Sequence, residues 1–304
     1  MGLFIYRLFL YKKQSPYARI TIDDMKYLVL RNGVKIPQLG FGTHKTNDKG
    51  EGVEVIKTAL KVGYRLLDTA QVYGTEDMVG QAIKEVDVPR EEIFITTKLR
   101  FRNHSNPIPR LEESFKQLGV DYIDLVLIHW PYGDYLHAYK VLEDYYKQGR
   151  IKAIGVSNFE PGRLIDLIQN CEIPPMVNQI EANVYAQRWH EKKWYDKYGC
   201  VIMAYAPLGH GVLPEILNEP VLVEIAKKYN KKPAQIALKF LLNREMIPIP
   251  KSSNAERIKE NFDLFDFELD EEDMNKIKTL DKKYPIIGRP EDPLIVEKMY
   301  AKNE

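Results

Sequence analysis

Short apolar runs recur along the chain, and most of them stop at a polar residue near a turn. From Pro37 onward the runs Leu39–Gly42, Leu66–Asp68, Ile93–Lys98, Leu125–His129, Ala153–Ser157, Val177–Glu181, Val201–Tyr205 and Ile247–Ile249 read as strands, rich in aliphatic and β-branched residues. Amphipathic stretches at helical spacing separate them, among them 53–62, 111–118, 138–147 and 163–169. Eight such repeats predict an α/β fold, a (β/α)8 barrel. Upstream, Met25 opens a segment that reads as a hairpin turning at Asn32-Gly33. No stretch resembles a linker, so residues 25–304 are expected to form one domain, preceded by a disordered extension over 1–24.

Composition narrows the function only slightly. A chain of 304 residues with 44% hydrophobic content can bury one large core, and a net charge of +1 gives no bulk attraction for nucleic acid or a membrane surface. Cys171 and Cys200 have neither metal-ligand spacing nor the density of a disulfide framework, so buried thiols in a reducing cytoplasm are expected. The apolar stretch Leu3–Tyr11 is interrupted by Arg7 and too short to span a bilayer. It lacks the basic start and cleavage site of a signal peptide, and Tyr6 stands where a myristoylation motif needs Ser or Thr.

The strand ends carry the candidate chemistry. Gly63-Tyr64-Arg65-Leu66-Leu67-Asp68 ends in a carboxylate, and Tyr73 follows on a glycine-flanked turn. Taken alone, that segment is equally a buried strand leading into a polar loop. Two further runs end in Lys98 and in His129, the latter just before Trp130-Pro131. In parallel α/β folds ligands bind at the C-terminal ends of the strands, so Asp, Tyr, Lys and His there form a candidate shared site. A phenol has an ordinary pKa of about 10 and needs help to exchange a proton near neutrality. A neighbouring ammonium is expected to favour the phenolate, with the carboxylate holding the ammonium in place.

No Gly-x-Gly-x-x-Gly opens a helix, so a dinucleotide site of the Rossmann type is not expected. Other groups could serve: a hydroxyl and amides at Ser157, Asn158 and Gln179, a flat ring at Tyr205, and a turn at Leu208-Gly209. Lys251-Ser252 followed by Arg257 forms a plausible phosphate cradle near a helix start.

From about Met25 to about Pro290 the chain resembles an aldo-keto reductase, above all in Gly-Tyr-Arg-x-x-Asp-Thr-Ala-x-x-Tyr-Gly. The resemblance implies a catalytic tetrad of Asp68, Tyr73, Lys98 and His129, with Tyr73 as proton donor to a carbonyl oxygen. It implies NADPH as cofactor, with Thr43 at the cofactor site, Ser157, Asn158 and Gln179 on the carboxamide, and Tyr205 against the nicotinamide ring. Leu208 and Gly209 would lie along the pyrophosphate, Lys251, Ser252 and Arg257 on the adenosine phosphate, and Glu260 and Asn261 by the adenine. Many relatives carry Gln where this chain has Glu260. The substrate side departs further: Arg100 replaces a tryptophan common two residues after the lysine, and His44 replaces an aromatic after Thr43, while Trp130 is kept. These three line the expected substrate mouth, and the first two point to small, polar or anionic carbonyl compounds.

The expected protein is thus a cytoplasmic NADPH-dependent reductase of aldehydes and ketones, a monomer like many relatives. The alternative is a non-catalytic barrel that senses NADP(H), against which all four tetrad residues weigh. A metal-dependent hydrolase lacks clustered ligands.

Overall fold

The computed structural model describes residues 18–22, 25–47 and 50–301. Eight parallel strands, β4 (Phe41–Gly42), β5 (Leu66–Asp68), β6 (Phe94–Leu99), β7 (Ile123–Ile128), β8 (Ile151–Ser157), β9 (Val177–Glu181), β10 (Val201–Tyr205) and β11 (Ile247–Pro248), pair in chain order. Before them, β1 (Ala18–Ile22), β2 (Met25–Val29) and β3 (Lys35–Pro37) form a three-stranded antiparallel sheet. The ends of the parallel sheet meet: the Gly40 and Gly42 amides donate to the Pro248 and Pro250 carbonyls at 3.0 and 3.1 Å, closing the barrel. Closure needs a bare backbone at Gly40, where a Cβ would lie 2.7 Å from Leu66 Cδ2 and 2.8 Å from Ile249 Cγ2.

The helices are α1 (Gly52–Val62), α2 (Glu76–Glu85), α3 (Pro107–Leu118), α4 (Tyr135–Lys147), α5 (Pro161–Gln169), α6 (Trp189–Lys197), α7 (Pro220–Tyr229), α8 (Pro233–Asn243) and α9 (Ala255–Phe262) around the barrel, then α10 (Glu271–Lys278) and α11 (Pro293–Ala301). Helices α3, α4 and α5 begin at Pro107, Tyr135 and Pro161, ahead of the predicted starts at 111, 138 and 163. Pro107 and Pro161 open the first turns of α3 and α5, where a missing N–H costs nothing, and the Asp134 side chain caps α4.

Two apolar clusters explain why the strands are apolar throughout. One fills the barrel with alternate residues such as Leu66, Phe94, Leu125, Leu127, Val177, Val201 and Met203, plugged at one end by Leu28, Leu30 and Ile36 of the hairpin. The other set, including Leu67, Ile95, Val126, Ile154 and Ile202, packs outward beneath the helices. A strand buried on both faces has no polar side to show.

One expectation is corrected. The hairpin turns at Asn32-Gly33 as predicted, with Leu28 opposite Ile36, but residues 18–22, assigned to a disordered extension, pair antiparallel with β2 from Ala18↔Val29 to Ile22↔Met25. Antiparallel pairing occupies the edge that β2 would otherwise leave open. The rest of that extension lies outside the described residues. Among the described residues no helix is long and apolar enough to cross a membrane.

Candidate active site

Side chains alternate along a strand, so the inward set continues to the C-terminal ends. Counting by twos from Leu66, Leu127 and Met203 reaches Asp68, His129 and Tyr205, and the same parity makes Lys98, Ser157, Gln179 and Glu181 inward. The register sets Ser157 beside Gln179, Gln179 beside Met203, and Glu181 beside Tyr205. The polar layer therefore sits directly above the apolar filling.

At its centre Lys98 Nζ donates to Asp68 Oδ2 at 2.7 Å and to the Thr69 carbonyl at 2.7 Å, while Gln179 Nε2 donates to Asp68 Oδ1 at 2.6 Å. The lysine and aspartate side chains are 1% and 4% exposed. Burial pushes the Lys98 ammonium down and the Asp68 carboxyl up, and their mutual attraction opposes both shifts. Lys98 Nζ lies 4.7 Å from the centre of the Tyr73 ring, and the His129 ring stands edge-on to that ring at 5.9 Å. All four tetrad residues are thus brought together.

Tyr73 ends a short 3-10 turn, Gln71–Tyr73, that Gly74 stops in the left-handed region. Gln71 fixes this turn from below: its amide donates to the Arg110 carbonyl and Ser114 Oγ, and its oxygen accepts from the Arg100 amide at 3.0 Å. One glutamine therefore ties the tyrosine loop to the loop carrying Arg100. Thr43 is fully buried and bonds the Asp68 carbonyl through both N–H and Oγ1, so it braces the end of β5.

The electrostatics differ from expectation. Burial, and then the Asp68 charge, push the Tyr73 phenol up instead of down. Asp68 pairs with Lys98 at 2.7 Å, and burial sets the direction in which the resting phenol moves. A phenol held neutral is a proton donor. Burial together with the Lys98 charge also pushes His129 well below the usual imidazole range, so it is neutral.

On the neighbouring strands, Ser157 Oγ donates to the Gln179 carbonyl at 2.9 Å, and Asn158 Nδ2 donates to the His129 carbonyl at 3.1 Å. Asn158 adopts φ 63°, a left-handed conformation that aims its amide back across the mouth, where its oxygen accepts from the Tyr205 hydroxyl at 2.8 Å. Leu208 is half-buried and Gly209 is buried at the turn after β10. Ser252 is buried, Lys251 and Arg257 are exposed, and the Asn254 side chain caps α9 through the Arg257 amide. Asn261 is buried on α9, whereas Glu260 is ion-paired with Lys232. A hydroxyl, amides, a flat ring and two exposed cations beside a helix start are a donor set suited to a dinucleotide phosphate.

On the substrate side the His44 ring lies tilted against Tyr73 with ring centres 4.8 Å apart, and Trp130 lies flat on Tyr132 at 5.6 Å. The Arg100 charge reaches His129. Sequence reasoning missed His210, whose ring stacks on His44 at 5.2 Å. It also missed Glu181, although its parity with Gln179 marks it as inward.

A closed (β/α)8 barrel that gathers a buried carboxylate–lysine pair, a phenol and an imidazole at the C-terminal ends of its strands has the architecture of a barrel enzyme. The profile of the aldo/keto reductase family matches residues 38–282, and the chain belongs to that family of NAD(P)H-dependent oxidoreductases. It is 41% identical over 268 residues to the 9,11-endoperoxide prostaglandin H2 reductase of Trypanosoma cruzi (strain CL Brener), covering 87% of this chain and 95% of the relative. It is 41% identical over 268 residues to the glyoxal reductase of Bacillus subtilis (strain 168), covering 87% and 96%. Among solved structures, a Bombyx mori aldo-keto reductase in complex with NADP superposes with a TM-score of 0.81 at 36% identity, covering 89% of this chain and 96% of that one.

Proposed function

We propose that the protein uses NADPH to reduce small polar carbonyl compounds, with Tyr73 donating the proton to the carbonyl oxygen. The observation that carries this reading is the cluster itself: Tyr73 lies with its ring 4.7 Å from Lys98 Nζ and 5.9 Å from the His129 ring, and its phenol is pushed up by burial. Tyr205 would hold the nicotinamide, and NADPH, when bound, would supply the hydride that the carbonyl carbon takes up. The charge that then develops on the oxygen falls to the protein. Tyr73 gives up its proton there, Lys98 stabilises the phenolate left behind, and Asp68 keeps the ammonium in place. His129, neutral, orients the carbonyl by a hydrogen bond without competing as an acid. Ser157, Asn158 and Gln179 hold the carboxamide, Leu208 and Gly209 line the pyrophosphate path, and Lys251, Ser252 and Arg257 take the adenosine phosphate, with Asn261 and Glu260 toward the adenine.

The substrate class follows from the mouth. Arg100, His44 and His210 put a cation and two imidazoles where an apolar substrate would want hydrocarbon, and Trp130 leaves one aromatic wall. One of the relatives named above is a reductase of an endoperoxide and the other of glyoxal, and the polar mouth here favours the dicarbonyl. NADPH consumption with methylglyoxal, a keto acid and a neutral aromatic aldehyde tests this, wild type against Arg100→Trp. The variant should shift preference toward the aromatic aldehyde. An unchanged preference would overturn the assignment of substrate class.

A further inference from the structure

Glu181 is the last inward residue of β9, one layer above Gln179, and it is 1% exposed. Among the described residues it makes no ion pair, and Asn183 Nδ2 donates to its Oε1 at 3.4 Å. Its carboxyl oxygens also accept three consecutive backbone N–H groups from the C-terminal segment: Ile286 at 3.1 Å, Ile287 at 2.6 Å and Gly288 at 2.7 Å. Short amide bonds to a carboxylate are among the stronger hydrogen bonds available to a protein. A second contact begins where this clamp ends. Gly288 is buried so closely against Tyr205 that a Cβ there would overlap the tyrosine hydroxyl, and it would also lie 3.3 Å from Asn158 Oδ1. That hydroxyl is the one held by Asn158.

We propose that Glu181 is a positioning residue for dinucleotide binding: by gripping the 286–288 backbone it seats Gly288 on Tyr205 and so fixes the ring that faces the nicotinamide. The proposal rests on the reading of Tyr205 as the nicotinamide platform. Its chain of contacts runs from the carboxylate to three amides, then to Gly288, to Tyr205 and to Asn158. The segment beyond is anchored independently, since Tyr132 donates to the Pro290 carbonyl at 2.7 Å and the ring of Tyr300 on α11 packs 5.3 Å from Phe101. Loss of the Glu181 grip therefore loosens the turn against Tyr205 without freeing the whole C-terminal segment.

The test is a double-mutant cycle on the Kd for NADPH, read by quenching of tryptophan fluorescence in the full-length protein. Glu181→Ala and Gly288→Ala attack the same contact from opposite sides. Each should raise Kd by about tenfold, and the double variant should be no weaker than the weaker single one, because the contact can be broken only once. Glu181→Gln keeps one acceptor oxygen and should recover part of the loss. Kd values that stay at wild type in the single variants, or losses that multiply in the double variant, would overturn the proposal. Wild-type protein that fails to bind NADPH would instead overturn the underlying reading of the cofactor site. Should Glu181→Ala fail to fold, Glu181→Gln with Gly288→Ala gives the same cycle.

Discussion

Asp68→Asn isolates the buried ion pair at the centre of the site. The substitution keeps the shape and the bond from Gln179 but removes the charge 2.7 Å from Lys98 Nζ, leaving the Thr69 carbonyl as its hydrogen-bond acceptor among the described residues. Breaking a buried pair on one side costs about 3–5 kcal/mol. At roughly 2–4 °C per kcal/mol for a domain of this size, the melting midpoint should fall by about 6–20 °C. The deficit has a sign in pH. Burial already pushes Lys98 down with Asp68 in place, so without it the folded protein holds that proton less tightly than the unfolded chain. Stability then rises with pH below the ordinary lysine value, and the gap to wild type should narrow on the alkaline side. Adding Lys98→Met removes the stranded charge, so Asp68→Asn/Lys98→Met should regain most of the lost stability while carbonyl reduction stays lost. Thermal melts followed by circular dichroism, with turnover measured on the same samples, decide the matter. An Asp68→Asn variant that melts with wild type, or a double variant less stable than the single one, would refute the reasoning.

Two other predictions concern pH and cofactor choice. The rate of reduction should stay flat between about pH 7 and 9, because burial raises the Tyr73 phenol above its ordinary value of about 10 and holds His129 neutral. A steep loss within that window would mean that the proton donor has a low pKa. Arg257→Ala should weaken NADPH by about ten- to a hundredfold, the range expected for losing one charged hydrogen bond, and leave NADH nearly unchanged. Equal losses for both, by fluorescence titration, would move Arg257 off the adenosine phosphate.

Much of the site was legible because strand geometry is local. Apolar runs that end in Asp68, Lys98, His129 and Tyr205 state both the strand and its mouth, and β5, β9 and β10 begin and end where the pattern predicts. Parity alone would have added Glu181, whose inward face follows from Gln179. Other features depend on contacts far apart in sequence. His210 meets His44 only because the loops after β4 and β10 converge across the closed barrel. Gly288 meets Tyr205 through a segment with no periodic pattern of its own. The Tyr73 phenol departs from expectation for a related reason: the sequence places Lys98 near it and pairs that lysine with Asp68, but it does not say how deeply the phenol is buried, and burial pushes it up. The strand at residues 18–22 was missed because a short stretch beside β2 gains its stability from pairing.

The central claim is that Tyr73 is the proton donor, and turnover of Tyr73→Phe with NADPH and methylglyoxal tests it most directly. General-acid catalysis contributes about 10²–10⁴-fold, so the variant should lose at least about a hundredfold in turnover while binding NADPH as wild type does. Equal turnover by the two proteins would contradict the account.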